Sequence, residues 1–248
     1  MQIYLCIDDT DNIDSKGTGS IAGEIASFIE EKGWGKTQAI TRHQLFVHPD
    51  IPYTSHNSSM CFIVALTGDY LDEVITSAIN VLETESAEGS DPGLCVFVPE
   101  TLTQHQHQQI IEFGLKAKRE VLTKLDAYQL AESLSLHLSE HGGDGQGVIG
   151  ALAGVGLRLS GNDGRFKGHH RMNEEKESFT VKEILENTSI DMVRTEAGLM
   201  LNDTEEVVLE VKFKSVFLDH KSVLLVESLE KDGAFYWQPC SGSKLKKY

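Results

Sequence analysis

The feature that most constrains this sequence is a cluster of carboxylates that directly follows a short apolar run. Residues 3–7 (IYLCI) have the composition of a buried strand, and Asp8, Asp9 and Asp11 come immediately after it. Three like charges at the end of one strand repel each other, so they destabilise the fold unless something cationic lies beside them. Carboxylate oxygens suit Mg²⁺ or Mn²⁺. We therefore predict that these three residues bind a metal ion and act in catalysis, whereas a single aspartate there would indicate only an N-cap or a turn.

A glycine-containing segment follows the acidic cluster and precedes a predicted helix over residues 19–32. The segment is Lys16-Gly17-Thr18-Gly19-Ser20. Glycines let backbone N–H groups converge, and a helix N-terminus adds partial positive charge. Lys16 adds a point charge, and Thr18 and Ser20 add hydroxyls. The P-loop motif is absent. The segment predicts a phosphate-binding loop for a nucleotide triphosphate, with a flexible turn and N-cap as the alternative.

A second glycine-rich segment, Gly145-Gln146-Gly147, opens an apolar helix predicted over residues 148–156. It starts a G-x-G-x-x-G pattern, but a dinucleotide-binding fingerprint requires a strand before it. Here a predicted helix and a loop come first. We interpret the segment as a second helix start that closes over phosphates or a base, with tight helix packing through small residues as the alternative.

The segment 42–58 is a candidate substrate loop because polar and aromatic side chains are dense in it. Its candidate binding residues are Arg42, His48, Tyr53, His56 and Asn57. Loops on a rigid scaffold often carry binding residues. Histidines in a loop that contains two prolines are also often exposed and without function, and this alternative stays open.

Charge and cysteine content exclude some classes of protein. The chain has 22 Lys and Arg against 38 Asp and Glu, a net charge of −16. This is the wrong sign for a protein whose whole surface binds nucleic acid. No two of the four cysteines form a C-x-x-C pair, so no zinc ribbon is expected.

Hydropathy predicts no membrane-spanning segment, because no run of about 18 apolar residues occurs. The N-terminus leads directly into a predicted strand without a charged and apolar leader. We therefore expect no signal peptide and a cytoplasmic location, which free thiols also fit.

Mixed strand and helix patterns predict an α/β (α+β) fold. A strand is predicted over 37–47, helices over 71–84 and 102–140, and a β-hairpin over 157–167 around the Asn-Asp-Gly triplet at its centre.

A change in composition predicts the domain organisation. Residues 1–168 form the predicted catalytic region, polar residues 169–180 a linker, and residues 181–248 a small β-rich C-terminal domain.

Four segments occur in the same order as the motifs of a known family. They are CIDDTDN at 6–12, HPDIPYTSHNSS at 48–59, DPGLCVFV at 91–98 and GDGQGVIGALAGVG at 143–156. Together they resemble the archaeal tRNA-isoleucine agmatidine (2-agmatinylcytidine) synthetases, in a shorter form that lacks the zinc ribbon of that family.

The resemblance implies a kinase-like catalytic domain with a ferredoxin-like part. Such a domain phosphorylates a cytidine with ATP, and agmatine then displaces the phosphate. The resemblance assigns metal binding and catalysis to Asp8, Asp9 and Asp11, and the triphosphate loop to Gly17–Ser20. ATP and Mg²⁺ (or Mn²⁺) are therefore the implied cofactors.

The function that we predict is ATP- and Mg²⁺-dependent phosphoryl transfer or ligation, with tRNA or a small amine-containing molecule as acceptor. The acidic charge and the missing zinc ribbon disfavour tRNA. Two alternatives remain, a non-catalytic nucleotide-binding regulatory module and a metal-dependent phosphatase with Asp9 as nucleophile and Asp11 as acid. A homo-oligomer is left open.

Overall fold

A computed structural model describes residues 1–51, 57–173, 176–231 and 234–248. The chain forms two compact units, Met1–Ser160 and Gly161–Tyr248. The domain bounds at 168 and 180 stay a prediction, although one strand of the second unit, Ser178–Thr180, lies inside the predicted linker.

The first unit contains six strands, five α-helices and a 3-10 turn within its described residues. In chain order they are β1 (Gln2–Asp8), α1 (Thr18–Glu31), β2 (Gly35–Thr37), β3 (Thr41–Gln44), β4 (Ser58–Leu66), α2 (Leu71–Glu85), β5 (Gly93–Phe97), the turn Pro99–Thr101, α3 (Gln104–Ala117), α4 (Lys124–Ser133), β6 (His137–Glu140) and α5 (Gly147–Leu159). The predicted α/β (α+β) class is confirmed.

Helices cover both faces of an antiparallel sheet in this unit. The strand order is β6-β5-β1-β4-β3, and β2 also pairs with β4. Side chains alternate between the faces with a period of two. Ile3, Leu5 and Ile7 therefore pack with α1 and α2, whereas Cys6 packs with α3 and α5. The same alternation places the next even residue, Asp8, on the α5 face.

Glycines bring α5 close to the sheet. A Cβ at Gly93 would lie 2.2 Å from the backbone carbon of Gly147, and one at Gly154 would lie 2.4 Å from the Cys6 sulfur. Nearly every residue of α5 is buried, as expected of a helix that is apolar on all sides. Tight helix packing through small residues, the alternative interpretation of the second glycine-rich segment, is therefore correct for α5 itself.

The helical pattern predicted over 102–140 is wrong at its C-terminal end. Capping boxes at Thr103 and Thr123 start α3 and α4. Ser135 then adopts a φ of 53°, and residues His137–Glu140 pair with β5. Strand β6 has only four residues. This is too short for a clear alternation of apolar and polar side chains, so the sequence around it still has a helical pattern.

The hairpin predicted over 157–167 is also wrong. Leu157 and Leu159 belong to α5, and Gly161, with a φ of 71°, follows the end of that helix, as a glycine at C′ often does. Of the strand predicted over 37–47, only Thr41–Gln44 forms β3, and Thr37 is the last residue of β2.

The second unit is rich in strands. Its elements are β7 (Arg165–Phe166), β8 (Ser178–Thr180), α6 (Val181–Asn187), β9 (Met192–Thr195), β10 (Glu206–Val208), β11 (Val216–Leu218), β12 (Lys221–Lys231), β13 (Ala234–Pro239) and α7 (Gly242–Leu245). Strands β11, β12 and β13 are antiparallel neighbours, while β9 and β10 join them in parallel. Two apolar clusters, one around Ile184 and Leu224 and one around Val216 and Val223, form its core.

All four cysteines are buried free thiols, and three of them, Cys6, Cys61 and Cys95, lie in strands, where cysteine packs as a small apolar side chain. None of the helices in the described part of the chain has the length and apolar content that a membrane span requires.

We predict that Gly93→Ala destabilises the first unit by about 1–3 kcal/mol, because the added Cβ meets rigid backbone rather than a flexible side chain. Urea unfolding followed by circular dichroism measures the change. Gly242→Ala is the control, since a Cβ there meets no atom within 4 Å. Equal unfolding midpoints for the two variants would contradict this account of the contact between α5 and β5.

Candidate functional site

A cavity of about 250 Å³ opens where β1 ends, beside the N-termini of α1 and α5. It lies within the first unit. The predicted site residues that line it are Asp8, Asp9, Asp11, Gly17, Thr18, Gly19, Arg42, Asn57, Gln146 and Gly147. The fold thus brings together residues from all four candidate segments.

The acidic end of the cavity is built on a sharp change of backbone direction. Asp8 is buried, whereas Asp9 adopts a φ of 51°, a left-handed conformation that aspartate tolerates better than most residues. The Asp9 backbone N–H donates to Asp8 Oδ1 at 2.9 Å. The Thr18 N–H points to Asp11 Oδ2 at 3.4 Å, which joins the acidic cluster to the start of α1.

Burial is the main reason that two of these carboxylates hold protons tightly. It raises the pKa of Asp8 to about 8, and the charges of Asp9 and Asp11 act in the same direction, whereas the hydrogen bond from the Asp9 backbone N–H and the charge of Arg42 oppose the rise. Burial also raises the pKa of Asp9 to about 6, with contributions from Asp91 and Asp11. Ionisation of these two carboxyl groups is therefore unfavourable in the cavity as it stands, and a bound cation would favour the ionised forms.

The donor chemistry of this end fits a hard cation, although the side chains do not form a complete ligand set. Within the described ranges, no three His, Cys, Asp or Glu side chains are arranged to hold one metal ion. Mg²⁺ usually takes only one or two carboxylates and completes its shell with water and phosphate oxygens. Asp8, Asp9 and Asp11 are the residues that would hold it.

The first glycine segment lies only partly at the cavity. Gly17, Thr18 and Gly19 line it. The N-cap residue of α1 is Gly17, which has no side chain to cap the helix, and the positive end of the helix dipole therefore faces the cavity. The Ser20 N–H donates to the Gly17 carbonyl at 2.7 Å, and Ser20 is exposed.

Lys16 lies outside the residues that line the cavity. Its ammonium forms ion pairs with Glu24 at 2.7 Å and with Glu85 at 2.5 Å. Its predicted role at a phosphate would require the side chain to leave both partners.

The second glycine segment places the N-terminus of α5 at the cavity through Gln146 and Gly147, whereas Gly145 is not part of the lining. Gly150, one turn further along, also lines the cavity, and a Cβ there would lie 1.6 Å from Asp8 Oδ2. Glycine at this position therefore makes room for the buried carboxylate.

The candidate substrate loop contributes two of its predicted residues to the lining. Arg42 donates to Gln44 Oε1 at 2.9 Å, and Asn57 donates to the Phe46 carbonyl at 2.7 Å. His48 stacks on Phe46 and does not line the cavity. The predictions for Tyr53 and His56 lie outside the described residues.

An apolar wall was not predicted from the sequence. Its members come from four parts of the chain and are Leu45, Ile51, Met60, Ala117, Val121, Leu122 and Ile149. Asp50 and Glu120 add two carboxylates beside it. Ala117 is the last residue of α3, and residues 120–122 follow that helix. The sequence of this helix carried no signal of a site, so only the packing of α3 against α5 reveals that these residues line the cavity.

We predict that metal-free Asp8→Asn is more stable than the parent protein at about pH 8. The pKa of Asp8 is raised in the fold, so its contribution to stability is present below about pH 4 and is lost as the pH rises through about 8. Asparagine carries no charge. The gain should be roughly 2 kcal/mol or more, because one pKa unit corresponds to about 1.4 kcal/mol.

Urea unfolding in the presence of a chelator, at about pH 5 and about pH 8, measures this effect. Asp14→Asn is the control, because Asp14 is exposed and does not line the cavity. A parent protein that keeps the same stability relative to Asp8→Asn at both pH values would contradict the prediction.

Comparison with known proteins gives matches among solved structures. No protein-family model matches the chain, and no curated protein matches it. The fold is similar to the crystal structure of a tRNA fluorescent labeling enzyme, with 24% identity, a TM-score of 0.56, and coverage of 74% of this chain and 42% of that one.

Two further matches are structures of TiaS, an agmatidine synthetase that acts on an isoleucine tRNA. The apo structure has 22% identity and a TM-score of 0.55, with coverage of 74% of this chain and 42% of that one. The complex of TiaS with its tRNA and ATP has 18% identity and a TM-score of 0.57, with coverage of 96% and 58%. This chain spans less than two thirds of each of these solved chains. It nevertheless has the fold of TiaS, and the resemblance inferred from its sequence motifs is confirmed in its architecture.

Proposed function

We propose that this chain is an ATP- and Mg²⁺-dependent phosphoryl-transfer or ligase enzyme of the agmatidine-synthetase type. The observation that carries the proposal is the meeting of the acidic cluster with two helix N-termini in one cavity. Phosphoryl transfer mainly requires positioning and charge neutralisation. A nucleotide triphosphate would place its anionic oxygens at the helix N-termini, and the Mg²⁺ that accompanies it would lie beside the carboxylates.

The chain's own groups would divide the work as follows. The partial positive charge at the N-termini of α1 and α5 would stabilise phosphate oxygens. A bound Mg²⁺ would supply neutralisation of the phosphate charge beside Asp8, Asp9 and Asp11. Asp9, with its pKa of about 6, would be ionised at neutral pH and would orient the acceptor hydroxyl or accept its proton.

The apolar wall supports an acceptor or nucleobase next to the phosphates. Such a surface suits the flat faces of a base, while Asp50 and Glu120 suit the cationic end of an amine. Both acceptor classes of the agmatidine-synthetase reaction, an RNA base and an amine, therefore have matching chemistry in this cavity.

A basic cluster in the second unit supports RNA as the acceptor. The pairing of His170 with Phe213 brings residues 169–171 beside residues 212–214. Burial lowers the pKa of His169, and so do the nearby charges of Lys214, Lys212, Arg171 and Arg165. A net charge of −16 argues only against binding over the whole surface. We therefore include tRNA, and a cytoplasmic location, in the proposal.

We predict that the protein consumes labelled ATP in the presence of Mg²⁺, tRNA and an amine, and that Asp9→Asn loses this activity at least about a hundredfold, the usual loss on removing a general acid–base group. Thin-layer separation of the products, together with gel analysis of the protein and the tRNA, locates the label. Asp14→Asn, which changes an exposed aspartate outside the cavity, should keep full activity.

The other outcomes separate the alternative functions. ATP binding without turnover in any mixture would instead indicate a regulatory module. Label retained on an aspartate would indicate a phosphatase. Full activity of Asp9→Asn would show that the catalytic assignment is wrong.

We predict that Lys212→Gln/Lys214→Gln weakens tRNA binding and lowers the slope of log affinity against log salt by about 1–2, as expected when phosphate contacts are lost. Filter binding at several salt concentrations measures both quantities. Lys244→Gln/Lys246→Gln removes two charges near the C-terminus and serves as the control. Equal losses in the two double variants would show that the basic cluster has no specific role.

A further inference from the structure

The loop that precedes α5 is held by two charged side chains from other parts of the first unit. The Asp144 backbone N–H donates to Asp91 Oδ1 at 2.5 Å, and the Lys124 ammonium donates to the Asp144 carbonyl at 2.7 Å. Asp91 lies just before β5, and Lys124 is the first residue of α4. Both main-chain polar groups of Asp144 are therefore bound by side chains, and neither of these side chains lines the cavity.

Glycines on either side of this residue let carboxylates approach the loop. A Cβ at Gly143 would overlap Asp91 Oδ1, and one at Gly145 would overlap Glu140 Oε2. Glu140 in turn forms an ion pair with Lys124 at 2.5 Å. The Gly-Asp-Gly triplet at 143–145 therefore has a packing reason, because side chains close on the backbone from two directions there.

The loop depends on such contacts for a single conformation. Gly143 and Gly145 adopt φ values of 51° and 68°, which glycine reaches easily but at a high cost in conformational entropy. A hydrogen bond to an ionised acceptor is shorter and stronger than a neutral one. The bond from the Asp144 N–H to Asp91 is of this kind, so it opposes the flexibility of the neighbouring glycines.

The same loop determines where α5 begins. The Gly147 N–H donates to the Asp91 carbonyl at 3.0 Å, and the Ile149 N–H donates to the Gln146 carbonyl at 3.1 Å. Gln146 and Gly147 both line the cavity. A change in the loop at Asp144 would therefore shift the first turn of α5 within the cavity.

These contacts act on the loop more than on the stability of the whole unit. The side chains of Lys124 and Glu140 are 28% and 44% exposed, and ion pairs of this exposure contribute little to the free energy of unfolding. Asp144 itself is exposed and does not line the cavity. The effect of the two anchors is therefore on local conformation.

We propose that Asp91 and Lys124 are positioning residues that fix the start of α5 for the phosphates of a bound nucleotide. This inference rests on the proposed function. Both residues act through the main chain of Asp144 and hold the loop so that the N-terminus of α5, with its partial positive charge, lies at the cavity. A preformed surface binds more tightly because the loop need not be ordered on binding.

Two variants of Asp91 separate its hydrogen bond from its charge. Asp91→Ala removes the acceptor, whereas Asp91→Asn keeps an oxygen that can accept from the Asp144 N–H. Only one carboxylate oxygen of Asp91 has a hydrogen bond within the described residues, so an amide suits the position. Lys124→Met removes the donor to the Asp144 carbonyl. Asp69→Ala, at an exposed aspartate outside the cavity, is the control.

Amide hydrogen exchange of the ligand-free protein, followed by NMR, tests the anchoring without any turnover. In Asp91→Ala the amide protons of residues 144–147 should exchange at least about tenfold faster than in the parent protein, and in Asp91→Asn within about threefold of it. The urea unfolding midpoints should stay close to one another. Unchanged exchange in Asp91→Ala, or equal acceleration in Asp91→Asn, would overturn the proposal.

Calorimetric titration with ATP tests the consequence for binding. Saturating Mg²⁺ keeps an effect of charge on metal affinity out of the comparison. Asp91→Ala should bind ATP about tenfold more weakly and Lys124→Met about threefold more weakly, whereas Asp91→Asn and Asp69→Ala should stay within about twofold of the parent protein. The double variant of Asp91→Ala and Lys124→Met should lose less than the product of the two single losses, because both act on one residue's main chain.

The outcomes separate this inference from the proposed function. Equal ATP binding by Asp91→Ala and the parent protein would overturn the inference and leave the proposed function standing. Equal losses in Asp91→Ala and Asp91→Asn would overturn it too, because charge rather than the hydrogen bond would then be responsible. A parent protein that binds no ATP would contradict the proposed function and this role with it.

Discussion

The close approach of α5 to the ends of β1 and β5 is the constraint on which the first unit depends. Two glycines, Gly93 and Gly147, let the backbones meet, and Gly150 leaves space for the carboxylate of Asp8. Because α5 is buried on nearly all sides, the sheet and α3 must both fit around it. The same contact brings a helix N-terminus to the acidic strand end, so packing and site geometry arise from one set of small residues.

The parts of the fold that could be predicted from sequence are those whose signal is local. The apolar run before Asp8 and the periodicity of α2 each match an observed element. The errors arise where partners far along the chain decide the structure. Strand β6 exists because its residues complete the edge of β5, and the residues after α5 pair with β11 rather than with each other.

The residues of the candidate site also divide into those with a local sequence signal and those that tertiary packing brings to the cavity. The acidic cluster and Gly17–Gly19 were predictable because charge and glycine at a strand–helix junction carry a physical meaning by themselves. Val121 and Leu122 have no such meaning, since they reach the cavity only through the packing of α3 and α5. Lys16 shows the reverse case, in which a suitable residue type has other partners in the fold.

The burial of α5 also makes the two sides of the proposed phosphate-binding region unequal in their dynamics. Amide protons of a helix enclosed on all sides exchange with solvent only when most of the unit unfolds. The start of α1 is partly exposed, and its N-cap residue is a glycine without a capping side chain, so its first turn can open at a much lower free energy. A bound nucleotide would then contact a rigid surface at α5 and a more flexible one at the start of α1. The backbone would become more ordered on binding mainly at Gly17–Ser20.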